Sequence, residues 1–417
     1  MNVPINGAEY CDELETRSAQ ARRAALADEL PRQIAHAQAS TSAYASALAG
    51  VDAARIDSYE ALATLPVTRK SELSESQQEA PPFGGFAPYG VGEYARVFSS
   101  PGPIFEPESY TADYWRTARA LYAAGFRRGD LVHNTFSYHF TPAGSMLEKG
   151  AHALGCAVFP AGIGQTEQQV QAIARLKPQG YVGTPSFLNI ILDKAAELQA
   201  DVSSLRKGLV GGEALPPSLR EQIKSRGLDV LQCYATADLG LIAYESIAKE
   251  GMIVDEGVIV EIVRPGTGEQ LPAGEVGEVV VTTLNPDYPL IRFATGDMSA
   301  VLSGTSPCGR TNLRIKGWMG RADQTTKVKG MFVHPSQVAK VLARHPELGR
   351  GRLVVDSVDN MDRMTLKCES QSADLELSRA VADSLRELCK LRGEVELVAP
   401  GSLPNDGKVI DDVRTYE

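Results

Sequence analysis

Apolar and polar positions follow two rhythms along this chain, and the change between them is the first sign of its architecture. Between residues 110 and 233, short apolar runs recur: Leu131-Val132-His133, Cys156-Ala157-Val158-Phe159, Gly180-Tyr181-Val182-Gly183, Gly208-Leu209-Val210-Gly211 and Val230-Leu231-Gln232-Cys233. Between them lie stretches with helical spacing, at 111–126, 146–154, 168–176, 186–198 and 217–224. Strands alternating with helices of this length predict an α/β layer with a mostly parallel sheet, whose strand ends are where ligands bind. From residue 253 the period changes to two. Segments 253–263 and 275–283 read as antiparallel strands, punctuated by Arg264-Pro265-Gly266-Thr267-Gly268 and Pro272-Ala273-Gly274, and predict a β-rich subdomain.

Beyond Gly320-Arg321-Ala322-Asp323 the pattern becomes a separate α+β segment, with helices over 336–344 and 375–389 and strands over 352–355 and 364–369. The fold class expected is therefore α/β: a large N-terminal domain, 1–322, with mostly parallel sheets and a β-rich subdomain, and a small mobile α+β C-terminal domain, 323–417. At the front, 19–48 is Ala-rich and helical with a break expected at Pro31, 58–73 breaks at Leu65-Pro66, and Pro81-Pro82-Phe83-Gly84-Gly85 is a loop.

Composition narrows the function. Of 417 residues 43% are hydrophobic and 23% charged, which is the balance of a globular protein, and the net charge of -10 is spread along the chain. No Lys/Arg stripe is present to neutralise phosphates, so no nucleic-acid partner is expected. Glu9, Asp12, Glu13 and Glu15 stand where a signal peptide would be basic and then apolar, and no run approaches membrane-spanning length. The six cysteines form neither a C-x-x-C pair nor a framework. The expectation is a cytoplasmic enzyme with no membrane partner; a homodimer is compatible with it.

Several segments, in order, carry possible chemistry. A Ser-containing loop, beginning Phe98-Ser99-Ser100-Pro101-Gly102-Pro103, can offer hydroxyls and N–H groups to phosphates, although these two prolines remove donors and Glu106 follows. Gly212-Glu213-Ala214 is a strand-end turn. Tyr234-Ala235-Thr236-Ala237-Asp238 ends on a carboxylate that suits a hard cation or, equally, a helix cap. Asp297, in Ala294-Thr295-Gly296-Asp297, is a bidentate acceptor suited to a vicinal diol or to a hairpin turn. Near the end stand Lys327-Val328-Lys329-Gly330 and Leu403-Pro404-Asn405-Asp406-Gly407-Lys408.

Together, and with Leu62 to Leu73 and Pro289-Leu290-Ile291-Arg292, these segments resemble the adenylate-forming superfamily, and within it the phenylacetate–coenzyme A ligase branch. The resemblance covers nearly the whole chain. It implies ATP-dependent conversion of a carboxylic acid, aryl or arylacetic, to an acyl-adenylate and then to a coenzyme A thioester. ATP, Mg²⁺ and coenzyme A are the implied cofactors, and a small-molecule carboxylic acid the partner. By resemblance, Ser99, Ser100 and Gly102 meet the triphosphate, and Gly212, Glu213, Tyr234, Ala235 and Thr236 the adenosine side. Asp238 holds Mg²⁺, Asp297 the ribose, and Lys329 and Gly330 the pantetheine. Lys408 and Arg321 are catalytic, Asp323 is the hinge, and Tyr138, His139, Phe140 and Gly162 line the acid pocket.

Four departures from the family pattern matter. Glu106 stands where a lysine is usual, so its carboxylate has to point away from a bound γ-phosphate. Ala235 and Ala237 replace Gly and Ser/Thr, and Asp238 replaces Glu. Asp411 and Asp412 follow Lys408 where basic residues are common. Some relatives carry a structural zinc on a Cys, a His and a Cys-x-Cys; the matching positions here are Ser246, Ile253, Ser306 and Cys308, so no zinc is expected. Two other readings remain open from sequence: acyl transfer to a nitrogen acceptor, and a degenerate nucleotide- or acyl-AMP-binding sensor.

Overall fold

The computed structural model describes residues 9–417 except 101, 102, 265, 266, 323, 325, 359, 360, 373, 405–408 and 415–417, with the side chains of Ser71 and Ser336 also outside the description. Gly102, Asp323 and Lys408 therefore lie outside the described residues. The chain divides into two compact units, Met1–Leu215 with Arg220–Met319, and Gly320–Glu417 with Pro216–Leu219.

In the large unit the strands in chain order are Thr68–Arg69 (β1), Arg96–Ser100 (β2), Ile104–Glu108 (β3), Leu131–Asn134 (β4), Ala157–Pro160 (β5), Gly180–Gly183 (β6), Lys207–Val210 (β7), Asp229–Thr236 (β8), Gly240–Glu245 (β9), Met252–Val254 (β10), Val258–Val263 (β11), Val276–Thr283 (β12), Phe293–Leu302 (β13) and Arg314–Ile315 (β14). The parallel half (β5-β4-β6-β7-β8) answers to the expected α/β layer and the antiparallel half (β9, β10, β14, β13, β12, β11) to the expected β-rich subdomain. They form one continuous sheet joined through β8, which is parallel to β7 and antiparallel to β9. Helices Ala143–Ala153, Thr166–Leu176, Pro185–Glu197 and Pro217–Ser225 are the crossovers of the parallel half.

Two core clusters hold this unit. One unites Leu30, Ile34, Leu62 and Leu73 of the N-terminal helices with Val260, Val281 and Phe293 of the antiparallel half, and the other packs Trp115, Leu121 and Met146 against Val132, Leu209 and Leu231. Strands β11 and β12 are almost wholly buried on both faces rather than half exposed, because the N-terminal helices cover them.

Two local expectations are corrected. Helix Ala19–Ser40 runs through Pro31 without ending, since its buried stripe of Leu30, Gln33, Ile34 and Ala37 offsets the one backbone hydrogen bond a proline forfeits. The helix expected from 111 begins only at Thr117: Asp113 and Arg116 take positive φ of 49° and 62°, and the Asp113 carboxylate accepts the Ala118 N–H at 3.2 Å, acting as a start signal inside the run.

The small unit contains the hairpin Thr326–Val328 (β15) and Met331–Val333 (β16). Its four-stranded sheet comprises Gly351–Val358 (β17), Met361–Glu369 (β18), Glu394–Val398 (β19) and Ile410–Asp412 (β20), in the order β19-β18-β17-β20. Helices Pro335–Ala343 and Leu375–Cys389 bury Val338, Val341, Val381 and Leu385 on Leu353, Val355 and Leu366. Among the described residues no helix is long and apolar enough to cross a membrane.

Candidate active site

The end of β8 organises the site, at the strand where the sheet changes from parallel to antiparallel pairing. Past Tyr234 the register with β9 shifts, and a tight turn at 237–239 reverses the chain. Thr236 Oγ1 accepts the Leu239 N–H at 3.2 Å and closes the turn. Gly240 completes it at φ +70°, where a Cβ would come within 2.8 Å of the Trp115 carbonyl oxygen. The turn aims Asp238 inward, only 4% exposed. Asp238 caps no helix.

Its Oδ2 lies 2.5 Å from Lys70 Nζ, whereas Oδ1 is buried with no hydrogen-bond partner. A second buried atom nearby, the Tyr288 hydroxyl, also has none. Burial first, and then the charges of Asp238 and Glu106, push the Tyr288 phenol well above its ordinary value. An orphaned carboxylate oxygen in a closed turn is what a hard cation requires, so Asp238 fits the Mg²⁺ role.

Lys70 was not among the candidates from sequence, because it lies 168 positions from Asp238 along the chain. Strand β1 brings it there: Thr68 and Arg69 pair in parallel with Phe293 and Ala294 at the start of β13, so the next residue arrives beside the Thr295-Gly296-Asp297 segment. Burial pulls the Lys70 ammonium down, but the Asp238 carboxylate, aided by Glu106 and Asp297, more than offsets this and holds it above its ordinary value. One local signal was available: Lys70 opens helix Lys70–Glu79, and a cation there opposes the helix dipole without any side-chain cap to offset it.

The Ser-containing segment is a hairpin rather than a loop after a strand. Ser99 and Ser100 end β2, and Glu106 sits in β3 opposite Phe98, fully buried. Its carboxyl is turned into the interior and accepts the Ser100 hydroxyl and, at 3.2 Å, the Ser100 N–H. Burial first and Asp238 second push Glu106 up to about 8, with Ser100 and Lys70 opposing them. Two bonds of 2.8 Å, Gln77 Nε2 to Phe105 O and Phe105 N to Gln77 Oε1, clasp the Lys70 helix to this hairpin. The Ser99 N–H donates to Phe140 O at 2.8 Å and ties the hairpin to the segment expected to line the acid pocket.

Asp297 accepts Tyr234 Oη at 2.8 Å on Oδ2 and Trp318 Nε1 at 3.0 Å on Oδ1. The structure thus brings Tyr234, Asp238, Asp297, Ser100, Glu106 and Lys70 to one corner. Ala235 and Thr236 lie on the strand between them, half-buried. Gly212 turns at φ +78°, and Glu213 next to it accepts the Ser186 N–H at 2.7 Å, which commits it to the start of helix Pro185–Glu197.

Of the residues expected to line the acid pocket, Tyr138 bridges Asn134 Nδ2 and Glu148 Oε2 at 2.8 Å each, and is fixed. Phe140 is 80% exposed at φ +61°, His139 is exposed too, and Gly162 is anchored by Asn134 O at 3.0 Å. In the small unit, Lys329-Gly330 is the turn of the β15–β16 hairpin. The Lys329 N–H donates to Asp362 at 2.8 Å, and the Arg321 guanidinium stands 5.8 Å over the Phe332 ring.

At the positions compared with zinc ligands, Ser306 Oγ and Cys308 Sγ are 3.1 Å apart and Arg310 Nη1 is 3.6 Å from that sulfur, while Ile253 faces the core. Burial opposes ionisation of Cys308, but hydrogen bonds from Ser246, Ser306 and Arg310 outweigh it and hold the thiol below its ordinary value. Among the described residues no group of three or more His, Cys, Asp or Glu side chains gathers to hold a metal.

Comparison with known proteins agrees with this geometry. Residues 110–285 match the model for AMP-binding enzymes, and residues 330–413 that for the AMP-binding enzyme C-terminal domain. The phenylacetate-coenzyme A ligase of Aromatoleum evansii is 33% identical, over 85% of this chain and 83% of that one. Its counterpart in Escherichia coli is 30% identical over 95% of both. Among solved structures, a 2-hydroxyisobutyryl-CoA ligase in complex with 2-HIB-AMP and CoA superposes with a TM-score of 0.83 at 26% identity, covering 99% of this chain and 94% of that one.

Proposed function

Because the chain belongs to the phenylacetate-coenzyme A ligase family of AMP-binding enzymes, it is an ATP-dependent acid–coenzyme A ligase working through an acyl-adenylate, and we propose that its acid is a flat aryl or arylacetic acid seated at Tyr138, His139, Phe140 and Gly162. The names of the two phenylacetate-coenzyme A ligases support that class, whereas that of the 2-hydroxyisobutyryl-CoA ligase belongs to an aliphatic acid; an aromatic-lined segment bonded directly to the Ser99–Ser100 hairpin through Ser99 and Phe140 supports the aromatic class as well.

The observation that carries the site assignment is the corner at the end of β8, where Asp238, Lys70, Tyr234 and Asp297 converge. The acid's carboxylate attacks the α-phosphorus of ATP, forming the mixed anhydride as the bond to pyrophosphate breaks. The thiolate of coenzyme A then attacks the acyl carbon and AMP leaves. Two anions meet in the first step, so cations have to be held ready there. Asp238, with its unpartnered Oδ1, would hold Mg²⁺, which neutralises phosphate charge when bound. Asp297 would accept the ribose hydroxyls, and Tyr234, held by Asp297, would flank the base. Lys408 and Arg321 on the small domain, pivoting at Asp323, would serve adenylation; Lys329 and Gly330 would serve thioester formation.

Two measurements test this. Acid-dependent ATP–pyrophosphate exchange across a panel of aryl, arylacetic and aliphatic acids should favour the first two; a preference for aliphatic acids overturns the acid class. Lys408→Ala should lose acyl-AMP formation by about 10²–10³-fold while still converting supplied acyl-AMP to thioester. Equal slowing of both half-reactions would refute the division of labour.

A further inference from the structure

We propose that Lys70 is a catalytic residue of the adenylating half-reaction: its ammonium passes from Asp238 to the phosphate chain of ATP and supplies the cation that the Ser99–Ser100 hairpin lacks. The inference rests on the ATP-dependent reading above, and four observations carry it.

The first is what the hairpin offers. At its Ser99–Ser100 end the hairpin presents two serines and the Glu106 carboxyl, which is spent internally on Ser100, and its one described cation, Arg96, stands at the other end paired with Glu108 at 2.6 Å, so the serine end provides hydroxyl and N–H donors but no positive charge. The second is where Lys70 stands. It is 2.5 Å from Asp238 and its side chain remains 26% exposed, whereas that of Asp238 is fully enclosed; the cation therefore has a way out toward solvent-borne phosphate and its partner does not. The third is the half-used carboxylate. Asp238 Oδ1 is buried and unpartnered, so this ion pair is incomplete as a structural device. A buried pair kept only for stability should satisfy its remaining lone pairs, and this one does not. The fourth is placement. Lys70 is the first residue of the ten-residue helix Lys70–Glu79, where the helix dipole and the ammonium both favour an anion, and Gln77 of that helix is clasped to the hairpin at Phe105. The cation and the hydroxyl donors are thus held in one fixed relation by separate segments of chain.

No proton is transferred in the step. The acid's oxygen bonds to the α-phosphorus, the bond to the β-phosphate bridging oxygen breaks, and the pyrophosphate departs with the electron pair; Lys70 shares the charge that accumulates on the phosphate oxygens.

The test uses Lys70→Met, which keeps length and removes charge, with Lys70→Arg as the conservative variant. Lys70→Met should lower acid-dependent pyrophosphate exchange by about 10²–10³-fold while changing the conversion of supplied acyl-AMP and coenzyme A little. Binding is read separately through Trp318, whose indole touches Asp297. α,β-Methylene-ATP should bind more than tenfold more weakly to Lys70→Met, adenosine equally well, and Lys70→Arg should recover most of the loss. Exchange within threefold of the parent, or equal weakening for adenosine and the ATP analogue, overturns the proposal and leaves Lys70 a structural partner of Asp238. Amine modification of the unaltered chain, located by peptide mass spectrometry, needs no variant: α,β-methylene-ATP should protect Lys70 and adenosine should not, and identical labelling with both overturns the proposal. A parent protein that binds the ATP analogue but shows no acid-dependent exchange would instead contradict the ligase reading, with the binding comparison still deciding Lys70.

Discussion

Two corners of the large unit depart from the family pattern in the same way, and they have been resolved oppositely. In the Ser99–Ser100 hairpin, for which a phosphate role is proposed, Glu106 stands where the family pattern has a lysine, and a cation from a distant segment, Lys70, lies nearby. In the corner of Ser246, Ser306 and Cys308 the pattern of zinc-binding relatives is broken, and there too a cation stands in the gap, Arg310. The second corner is closed. Arg310 is 3% exposed and Glu15 1%, and Glu15 accepts from Arg310 Nε at 3.0 Å, from the Tyr244 hydroxyl and from the Cys11 N–H at 2.8 Å. Among the described residues none of these groups has a buried atom left unpaired. The first corner is open, with Lys70 partly exposed and both Asp238 Oδ1 and the Tyr288 hydroxyl unpartnered. Full satisfaction marks a structural cluster, whereas unpaired buried groups beside a movable cation mark a place for a ligand.

The largest effect that could break this contrast is on the closed side. Arg310→Met should destabilise the chain by about 3–5 kcal/mol, because it leaves Glu15 buried without its nearest cation, 4.0 Å from Arg119. Tyr244 and the Cys11 N–H still bond Glu15, which favours the lower end of that range. The surviving folded enzyme should keep its pyrophosphate exchange, and metal analysis of the unaltered protein should find no zinc that resists chelation, since a guanidinium at the site repels a divalent ion. Denaturant titration and metal analysis check both. A marginal stability loss, or retained zinc, would mean that this corner is not the self-sufficient cluster described.

On the open side, Asp297→Ala should weaken ATP binding by about 2–4 kcal/mol through the lost charge-assisted bonds to two hydroxyls. Since Asp297 also orients Tyr234 and Trp318, the informative quantity is the comparison with 2′,3′-dideoxy-ATP, which should be nearly indifferent to the substitution. Equal losses for both nucleotides would move Asp297 from the ligand's side of the contrast to the scaffold's.

What could be read in advance follows the range of the forces involved. The βα repeats between 131 and 233 are set by local periodicity, and the expected helix over 375–389 coincides with Leu375–Cys389. The family motifs led to Tyr234, Asp238 and Asp297, because each lies within a few residues of its neighbours in the pattern. The continuous sheet was not legible, since β8 pairs on its two sides with segments of different rhythm. Nor was Lys70: its meaning depends on the β1–β13 pairing, which joins residues more than two hundred positions apart. Pro31 misled because the cost of a proline is local and its compensation, the face buried by Leu30 and Ile34, is tertiary. Glu106 looked anomalous in a phosphate loop and becomes intelligible only as an interior residue.

Glu106 also gives the smallest and most discriminating effect. A carboxyl pushed up to about 8 by burial and by Asp238 is protonated in the folded chain at neutral pH, whereas the unfolded chain ionises it near 4.5. The sign follows: between those values the folded state binds the extra proton, so this group's contribution is full below about pH 4.5 and is lost as pH rises through about 8. The linkage relation bounds the loss at about 5 kcal/mol, and relaxation around the charge should leave far less. Glu106→Gln keeps an acceptor for Ser100 and cannot ionise, so its stability relative to the parent should grow between pH 5 and pH 8.5. Glu106→Lys would be a poorer probe, because it would bury an ammonium within the field of Lys70. Urea midpoints of parent and Glu106→Gln at the two pH values measure the difference directly. Parallel curves would mean that Glu106 is ionised throughout, which would place a third carboxylate charge beside Asp238 and Asp297 and require Lys70 to be shared among all three. In that case the open corner would hold its cation far more tightly than the proposed transfer to phosphate allows, and the contrast with the closed Arg310 corner would narrow to nothing.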